Sequence, residues 1–436
     1  MVACFAAAGF RVTAVDLNPQ KVEAVNRGLP PVNEPGLAEL MKEAGDRLAA
    51  TRDIAEAVKD SDATFIVVAT PSEPGGGFSL QYALPACEAI GRALGFKKTF
   101  HLVVMTSTVM PGSTGGPVLA ALEHSSGKRC GKDFGLCYNP EFIALGTVIR
   151  DFYYPDFLLI GESDQRSGDL LAGLYKQVCK NSAPVARMNL VNAEITKLAV
   201  NTYITTKISY ANMLARLCEK LPGADVNVVT DALGLDTRIG SKYLTGAVSY
   251  GGPCFPRDNR AFAALASRVG ASSGLAEATD IFNRAQIKSV AEIVKSHRSD
   301  SQSIGILGLT YKPNTDVVEE SFGLLLAQEL SSSDLRVIVY DPSSEAICAL
   351  GTRKNIRVAP SAEQCIAESD LVVLATPWQA FHEIPAAQWA SHSEPRVVVD
   401  CWRALSHLEG IDGVHYVKLG FGSTAGRGVG VSSTAD

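Results

Sequence analysis

The residues with the clearest chemical potential lie in the run Tyr250-Gly251-Gly252-Pro253-Cys254-Phe255-Pro256-Arg257-Asp258. Its two glycines let a backbone approach a ligand closely, and a cation and a carboxylate follow the Cys254 thiol within four residues. A nearby cation favours the thiolate, which is the nucleophilic form of cysteine. The run predicts a nucleophilic cysteine. Because Gly-Gly turns are common, a tight loop around a structural cysteine is the alternative.

A second candidate group lies between Glu194 and Asn201, in a stretch with many apolar residues. Lys197 and Asn201 are four residues apart, so they share one face of a helix. An ammonium and an amide among apolar neighbours could hold an oxyanion. A solvated face or a hydrogen bond between helices is the alternative interpretation.

Two carboxylates follow apolar stretches of the chain. Glu141, in the run Tyr138-Asn139-Pro140-Glu141-Phe142, is a candidate general base, although an Asn-Pro turn with a neighbouring acid is the simpler interpretation. Asp16 ends an apolar run, where an acid can bond a ribose hydroxyl and so favours NAD over NADP. Junctions between strands and helices also prefer Asp for capping alone.

Alternating strands and helices must position these groups. Apolar strands are predicted at residues 11–15, 63–69, 101–105, 157–160, 304–307, 337–340, 371–375 and 397–399. Asn18, Pro19 and Gly28 bound a helix, and the stretch 192–220, without Gly or Pro, predicts one long helix. Within it, four residues recur at helical spacing as a core or dimer face: Ile204, Ile208, Ala211 and Ala215. This alternation predicts mostly parallel sheets covered by helices.

Composition excludes several classes of protein. The 436 residues carry 40 basic and 46 acidic side chains, a net charge of −6, which argues against a general nucleic-acid binder. No apolar run reaches the ~20 residues that span a bilayer, and the first nine residues lack a basic signal-peptide region. Ten scattered cysteines without zinc spacing indicate a reducing cytoplasm and no metal site.

In order and spacing, the motifs resemble those of the UDP-glucose/GDP-mannose dehydrogenase family from Met1 to about Gly420. Any one motif is weak, but the ordered set is specific and favours functional roles for Cys254, Lys197 and Glu141. The matching motifs are Val15-Asp16, Glu34-Pro35-Gly36-Leu37, Ser107-Thr108-Val109 with Pro111-Gly112, Asn139-Pro140-Glu141-Phe142, residues 194–201, residues 251–258, and residues 308–312 with Glu320-Ser321.

The resemblance implies an α/β fold of two Rossmann-like parallel-sheet domains, joined by a long central helix and a helical dimerisation domain. The expected domains are an NAD-binding domain at 1–190, a central helical domain at 191–300 and a UDP-sugar-binding domain at 301–421. Residues 422–436, rich in Gly, Ser and Thr, are expected to form a disordered tail. The expected assembly is a homodimer or a higher homo-oligomer.

The resemblance also implies a reaction, the NAD-dependent four-electron oxidation of a sugar CH2OH to a carboxylate. Cys254 would trap the intermediate aldehyde as a thiohemiacetal, which a second oxidation converts into a thioester. The resemblance further implies that a water held by Asp258 and Lys197 takes the proton of the alcohol. Lys197 and Asn201 would stabilise the oxyanions. Glu141 would act as the base when water hydrolyses the thioester, with Thr108 as a positioning residue.

Binding residues follow from the same resemblance. The residues expected to hold NAD are Asp16, Lys21, Thr70, Pro71 and Thr108. Those expected to contact the nucleotide sugar are Phe142, Ile143, Ala144, Lys197, Asn201, Tyr243, Gly251, Lys312 and Arg403, with Arg238 reaching across a dimer interface. The run Cys-Phe-Pro-Arg-Asp is closer to the UDP-glucose branch, which usually has Cys-Phe-Pro-Lys-Asp, than to the branch that oxidises N-acetylated mannosamine.

Four departures from the family pattern bear on these expectations. The first strand and its Gly-x-Gly-x-x-Gly loop would precede Met1, so we expect Met1 to be an internal methionine of a longer chain. Glu319 stands where relatives commonly have Arg, Leu145 replaces a usual Glu, and Arg257 replaces Lys. The alternatives are oxidation of a UDP-N-acetylhexosamine or GDP-mannose, and a cofactor-impaired chain that only binds nucleotide sugar.

Overall fold

The computed structural model describes residues 1–32, 34–297, 303–390 and 394–423. The chain divides into two compact units. The first unit contains residues 1–200 and 261–272, and the second contains residues 201–260 and 273–436. Most of the predicted tail, residues 424–436, lies outside the described residues.

The first unit is built on parallel strands. Its strands are β1 (Val12–Val15), β2 (Leu48–Thr51), β3 (Ala63–Ile66), β4 (His101–Met105), β5 (Phe134–Tyr138), β6 (Leu158–Glu162) and β7 (Val185–Asn189). Strands β1 and β2 pair with each other, and a second sheet has the order β3-β4-β5-β6-β7. All of these pairs are parallel except β5 with β6, which is antiparallel.

Helices cover both faces of the larger sheet in the first unit. Val103 and Met105 of β4 enter one apolar core, whereas Leu102 and Val104 enter the other, as a doubly covered sheet requires. The helices are α1 (Val2–Ala7), α2 (Pro19–Asn26), α3 (Leu37–Ala44), α4 (Ile54–Lys59), α5 (Ala83–Phe96), α6 (Leu119–Ser126), α7 (Val148–Tyr153) and α8 (Gln165–Val178).

The second unit has one six-stranded sheet in which every pair is parallel. Its strands are β8 (Ile304–Leu307), β9 (Val337–Tyr340), β10 (Ile356–Val358), β11 (Leu371–Leu374), β12 (Arg396–Asp400) and β13 (Val414–Lys418), in the order β10-β9-β8-β11-β12-β13. Val337 and Val339 lie in one core and Ile338 lies in the other, so helices cover this sheet on both sides as well.

The remaining helices are α9 (Leu190–Cys218), α10 (Val226–Gly234), α11 (Phe255–Arg268), α12 (Gly274–Ser296), α13 (Phe322–Ser332), α14 (Ser344–Leu350), α15 (Ala362–Ala367), α16 (Gln379–His382) and α17 (Ala386–Ala390). The predicted long helix is confirmed as α9, and Ala211 and Ala215 in it are core residues. Among the described residues, no helix combines the length and the apolar composition needed to cross a bilayer.

The predicted α/β fold is confirmed, with mostly parallel sheets in both units. The predicted cap of α2 is also confirmed, since the Asn18 side chain accepts a hydrogen bond from the N–H of Gln20 at 2.9 Å. The strand predicted at 63–69 ends earlier, at Ile66. Five strands went unpredicted: β2, β5, β7, β10 and β13.

Candidate active site

In the first unit, Asn139 fastens the chain just after β5. Its amide donates to the Leu159 carbonyl at 2.9 Å, and the Tyr175 hydroxyl donates to its side-chain oxygen at 2.6 Å. Asn139 and Tyr175 are both buried, so these bonds are shielded from competing water. The Asn-Pro turn therefore leaves the end of the strand in a fixed direction and sets the position of Glu141.

The Glu141 carboxyl group lies in a setting suited to proton transfer. Its Oε1 atom is buried and accepts no hydrogen bond from the described residues. Burial raises the pKa of Glu141 above its ordinary value, against the opposing positive charges of the amino terminus and Lys197. A carboxyl group with a raised pKa is a better proton acceptor than an exposed one, as a general base requires.

Lys197 lies beside this turn. Its ammonium donates to the Glu141 carbonyl at 2.7 Å and lies 4.4 Å from the centre of the Phe142 ring. The side chain is only 7% exposed, so the solvated face considered from the sequence is excluded. A buried ammonium therefore lies against the backbone of the turn that carries Glu141.

Glu194 and Glu34 hold the neighbouring loops through backbone N–H groups. The buried Glu194 carboxylate accepts from Gly112 at 2.6 Å and from Thr114 at 2.7 Å. Burial raises the pKa of Glu194, and these hydrogen bonds oppose the shift. Glu34 accepts from the N–H groups of Gly146 and Val148 at the start of α7.

Those two loops carry predicted ligand-binding residues. The Thr108 carbonyl accepts from the Thr70 hydroxyl at 2.8 Å, which ties the loop after β4 to the residues after β3. Phe142 and Ile143 are half-buried, whereas Ala144 and Leu145 are exposed. Because the side chain of Leu145 carries no charge, this segment can contact a ligand chiefly through its backbone groups.

The residues predicted to hold a dinucleotide lie at strand ends in the first unit. Asp16 follows β1, where its Oδ1 accepts from the Asn18 N–H at 2.8 Å and its Oδ2 lies 3.9 Å from the Lys21 ammonium. Both side chains remain about half exposed, so the carboxylate can still accept ribose hydroxyl groups. With Thr70, Pro71 and Thr108 after β3 and β4, these residues fit NAD.

In the second unit, Cys254 immediately precedes the first residue of α11. The thiol is exposed, and the Cys254 carbonyl accepts the Asp258 N–H at 2.8 Å as the helix begins. Helix N-termini favour negative charge and are common settings for reactive thiolates. Exposure at this point does not suit a structural cysteine, which is ordinarily buried.

Asp258 is held on both sides, one turn into α11. It is 1% exposed. Its Oδ2 accepts from the Asn201 amide at 2.6 Å, and its Oδ1 lies 3.3 Å from the Arg257 guanidinium. The second unit therefore brings together Asn201, Asp258 and the start of α11 next to Cys254.

The loop that carries Lys312 is fixed by an acid that the sequence did not single out. Asp341, buried at the end of β9, accepts from the N–H groups of Leu309 and Thr310 at 2.5 and 3.0 Å. Lys312 is half-buried, with its ammonium 5.6 Å from the centre of the Tyr311 ring.

Two asparagines that sequence reasoning missed clamp the segment before Cys254. Asn212 accepts from the Ala247 N–H at 2.7 Å and donates to the Val248 carbonyl, also at 2.7 Å. Asn283 accepts from the N–H of Tyr250 and donates to its carbonyl. An asparagine within each of the long helices α9 and α12 was the available signal, although it does not identify the backbone group that the amide binds.

Three other residues of the second unit that are predicted to contact substrate have a left-handed backbone or an exposed side chain. Tyr243 and Arg403 both adopt left-handed backbone conformations, with φ of 63° and 56°. The Arg403 guanidinium donates to the Leu419 carbonyl, and burial lowers its pKa. Arg238 is 87% exposed and pairs with Asp236 at 2.6 Å. Among the described residues, no cluster of His, Cys, Asp and Glu could hold a metal ion.

Comparisons with known proteins match the whole architecture. Residues 1–179 match the NAD-binding domain of the UDP-glucose/GDP-mannose dehydrogenase family, residues 191–285 its central domain, and residues 305–407 its UDP-binding domain. The chain is 35% identical over 419 residues to a UDP-glucose 6-dehydrogenase of Haloferax volcanii, covering 94% of this chain and 96% of that one.

Two further relatives broaden the comparison. A GDP-mannose 6-dehydrogenase of Pseudomonas aeruginosa is 32% identical over 395 residues, covering 87% of this chain and 89% of its own. The solved structure of a UDP-glucose dehydrogenase from Pyrobaculum islandicum superimposes with a TM-score of 0.86 at 33% identity, covering 96% of this chain and 94% of that one.

Replacing Glu194 by Gln tests the fastening of the Thr108 loop. Gln retains one acceptor oxygen but presents an NH2 group to a backbone N–H, so we expect a loss of about 1–3 kcal/mol in the free energy of unfolding. Urea denaturation measures this, with the exposed Glu88→Gln as the matched control. Equal stability of the two variants would contradict the assignment.

Proposed function

Because the chain belongs to the UDP-glucose/GDP-mannose dehydrogenase family of NAD-dependent nucleotide-sugar dehydrogenases, we propose that it oxidises UDP-glucose to UDP-glucuronate. The observation that carries the proposal is the exposed Cys254 thiol at the start of α11, on the same helix turn as the anchored Asp258. The similarity to UDP-glucose dehydrogenases and the Cys-Phe-Pro-Arg-Asp run support UDP-glucose as the substrate.

The first oxidation removes a hydride from C6 and a proton from the C6 hydroxyl, which leaves an aldehyde. NAD, when bound, accepts hydride, and the residues we assign to its binding are Asp16, Lys21, Thr70, Pro71 and Thr108. The proton goes to a water held by Asp258, whose carboxylate keeps one orientation because Asn201 and Arg257 engage both of its oxygens.

The second oxidation passes through Cys254. The thiolate adds to the aldehyde carbon, and the carbonyl oxygen takes a proton to complete the thiohemiacetal. The thioester would form when that carbon gives up a second hydride, for which a second NAD would be the oxidant, and the hydroxyl group gives up its proton. Lys197 and Asn201 stabilise negative charge on the oxygen, a type of contribution worth about 2.7–4 kcal/mol per donor.

Water then cleaves the thioester, which gives the carboxylate product and releases the thiol. Glu141 takes the proton of this water, and Thr108 positions it. The buried Oε1 of Glu141 and its raised pKa support this role, because they make the carboxylate a stronger base.

The nucleotide and sugar are bound by backbone groups and a few cations. We assign these contacts to Phe142, Ile143, Ala144, Tyr243, Gly251, Lys312 and Arg403. Arg238 is assigned to the site of a second copy, since its side chain is largely exposed in the single chain. We assign the protein to a reducing cytoplasm, because its ten cysteines are scattered along the chain without the spacing of a disulfide framework.

We assign the dimer contact to an apolar stripe on α9. Tyr203, Tyr210, Met213 and Leu217 are exposed on this helix, at spacings that place them on one side. We expect Met213→Glu to give monomers by light scattering, because the stripe would then bury an unpaired charge. Leu275→Glu, at an exposed apolar position of α12, is the control and should leave the dimer intact.

A second candidate substrate is GDP-mannose, because GDP-mannose 6-dehydrogenases are 32% identical to this chain over 395 residues. NADH formation with UDP-glucose, UDP-GlcNAc, UDP-ManNAc and GDP-mannose separates the candidates. We expect kcat/KM for UDP-glucose to exceed the others by about tenfold or more, with two NADH formed per sugar. A higher kcat/KM for another nucleotide sugar would make that sugar the substrate instead. Binding of a nucleotide sugar without NADH formation would support a chain that only binds nucleotide sugar.

Replacing Cys254 by Ser tests the covalent route. We expect formation of the uronic acid to fall by about 10³-fold or more, because a neutral hydroxyl adds poorly to the aldehyde. Cys348→Ser removes the other exposed thiol and should retain parental rates. Uronic acid formation by Cys254→Ser at the parental rate would rule out the thioester.

Glu141 makes hydrolysis dependent on pH. Because its pKa is raised, the active carboxylate form is lost as pH falls, at values above the ordinary range of a glutamate. We expect Glu141→Gln to slow thioester hydrolysis by about 10²–10⁴-fold and to accumulate an acyl-enzyme on Cys254, visible by intact-protein mass spectrometry. Rapid turnover without the adduct would exclude Glu141 as the base.

A further inference from the structure

The backbone before Cys254 lies directly against a wall formed by a later part of the same unit. The Gly252 N–H donates to the Glu319 carbonyl at 2.8 Å. A Cβ atom on Gly252 would lie 2.7 Å from Cε2 of the Tyr311 ring, and one on Gly251 would collide with the Glu320 carbonyl. Gly252 also has a φ of 84°, in the left-handed region. A residue with a Cβ atom at position 251 or 252 would therefore force its neighbours to move.

This wall is itself held in place. The Tyr311 N–H donates to the Val317 carbonyl at 3.0 Å, and the Ser321 hydroxyl donates to the Leu309 carbonyl at 2.5 Å. Glu320 keeps a left-handed backbone, with φ of 51°, and pairs with Arg260 at 3.0 Å. With Asp341 fixing the residues before Tyr311, the ring has little freedom to move.

The Tyr311 ring faces the backbone at Gly252, two residues before Cys254. Burial and the charge of the Cys254 thiolate raise the pKa of Tyr311 to about 12, so its hydroxyl stays neutral at the pH of catalysis. The ring can therefore act through its shape. Removing it would open space next to Gly252 without removing a charge.

We propose that Tyr311 is a positioning residue for Cys254, with its ring forming the wall that sets where Gly252 places the thiol. Lys312, assigned above to the nucleotide sugar, is the next residue along the chain. One fixed segment thus sets the places of both the nucleophile and a substrate contact. The expected effect of Tyr311 on turnover rests on the function proposed above. The contact between the Tyr311 ring and Gly252 does not depend on that function.

The test uses the Cys348→Ser background, in which Cys254 is the remaining cysteine with an exposed side chain among the described residues. Two rates are measured, turnover of UDP-glucose with NAD and alkylation of Cys254 by iodoacetamide. We expect Tyr311→Ala to lower kcat by about tenfold or more, since small displacements of a reacting group are costly. The same variant should alkylate at least as fast as the parent, because a small reagent needs no fixed thiol position.

The conservative variant separates shape from hydroxyl chemistry. Tyr311→Phe keeps the ring, so both rates should stay within about twofold of the parent if packing is the cause. Equal damage in Tyr311→Phe and Tyr311→Ala, or unchanged kcat in Tyr311→Ala, would overturn the proposal. A fall of kcat and alkylation together, with a lower urea midpoint, would show a structural role only and would also overturn it.

A double-mutant cycle approaches the same contact from its other side. Gly252→Ala adds a methyl group against the ring, and Tyr311→Ala removes the ring. We expect the Gly252→Ala defect to be about fivefold smaller in the Tyr311→Ala background. Independent effects would overturn the proposal. The cycle is also read by the urea midpoint, where the two substitutions should be non-additive because the added methyl group and the ring meet. An inactive parent would therefore defeat the proposed function while leaving the steric contact testable.

Discussion

A buried carboxylate needs hydrogen-bond partners. In the first turn of α11, the Asn201 amide is such a partner for the buried Asp258 carboxylate. That bond ties the first turn of α11 to α9. The start of α11 is thereby fixed, and with it the exposed Cys254. Without the bond, a charge would be left buried and short of a partner, and the helix start would be the first part of the site to move.

Carboxylates also fix the backbone at three other places. Glu194, Glu34 and Asp341 each use a carboxylate to collect backbone N–H groups from a loop distant in sequence. These loops hold residues that the proposed reaction needs, yet none of the three acids is assigned to the reaction itself. The proposed reaction therefore depends on two kinds of acid, those assigned to the chemistry and those that hold loops in place within each unit.

The sequence was informative where apolar residues are contiguous or motifs are ordered. Strands β4, β8 and β9 lie at the predicted bounds because nearly all of their residues are apolar. Strands β2 and β7 were missed because several of their residues are exposed and polar or small. Residue order singled out Cys254, Lys197 and Glu141. It did not reveal what Glu194 or Asp341 bonds, because those partners are far away along the chain.

Six described residues other than glycine adopt positive φ, and three of them, Tyr243, Glu320 and Arg403, lie in or beside segments assigned to substrate or to the cysteine loop. Such conformations cost about 1–3 kcal/mol each and persist only under constraint from their surroundings. Selection for heat resistance would therefore favour glycine or asparagine at these positions. The resulting enzymes would trade turnover for durability.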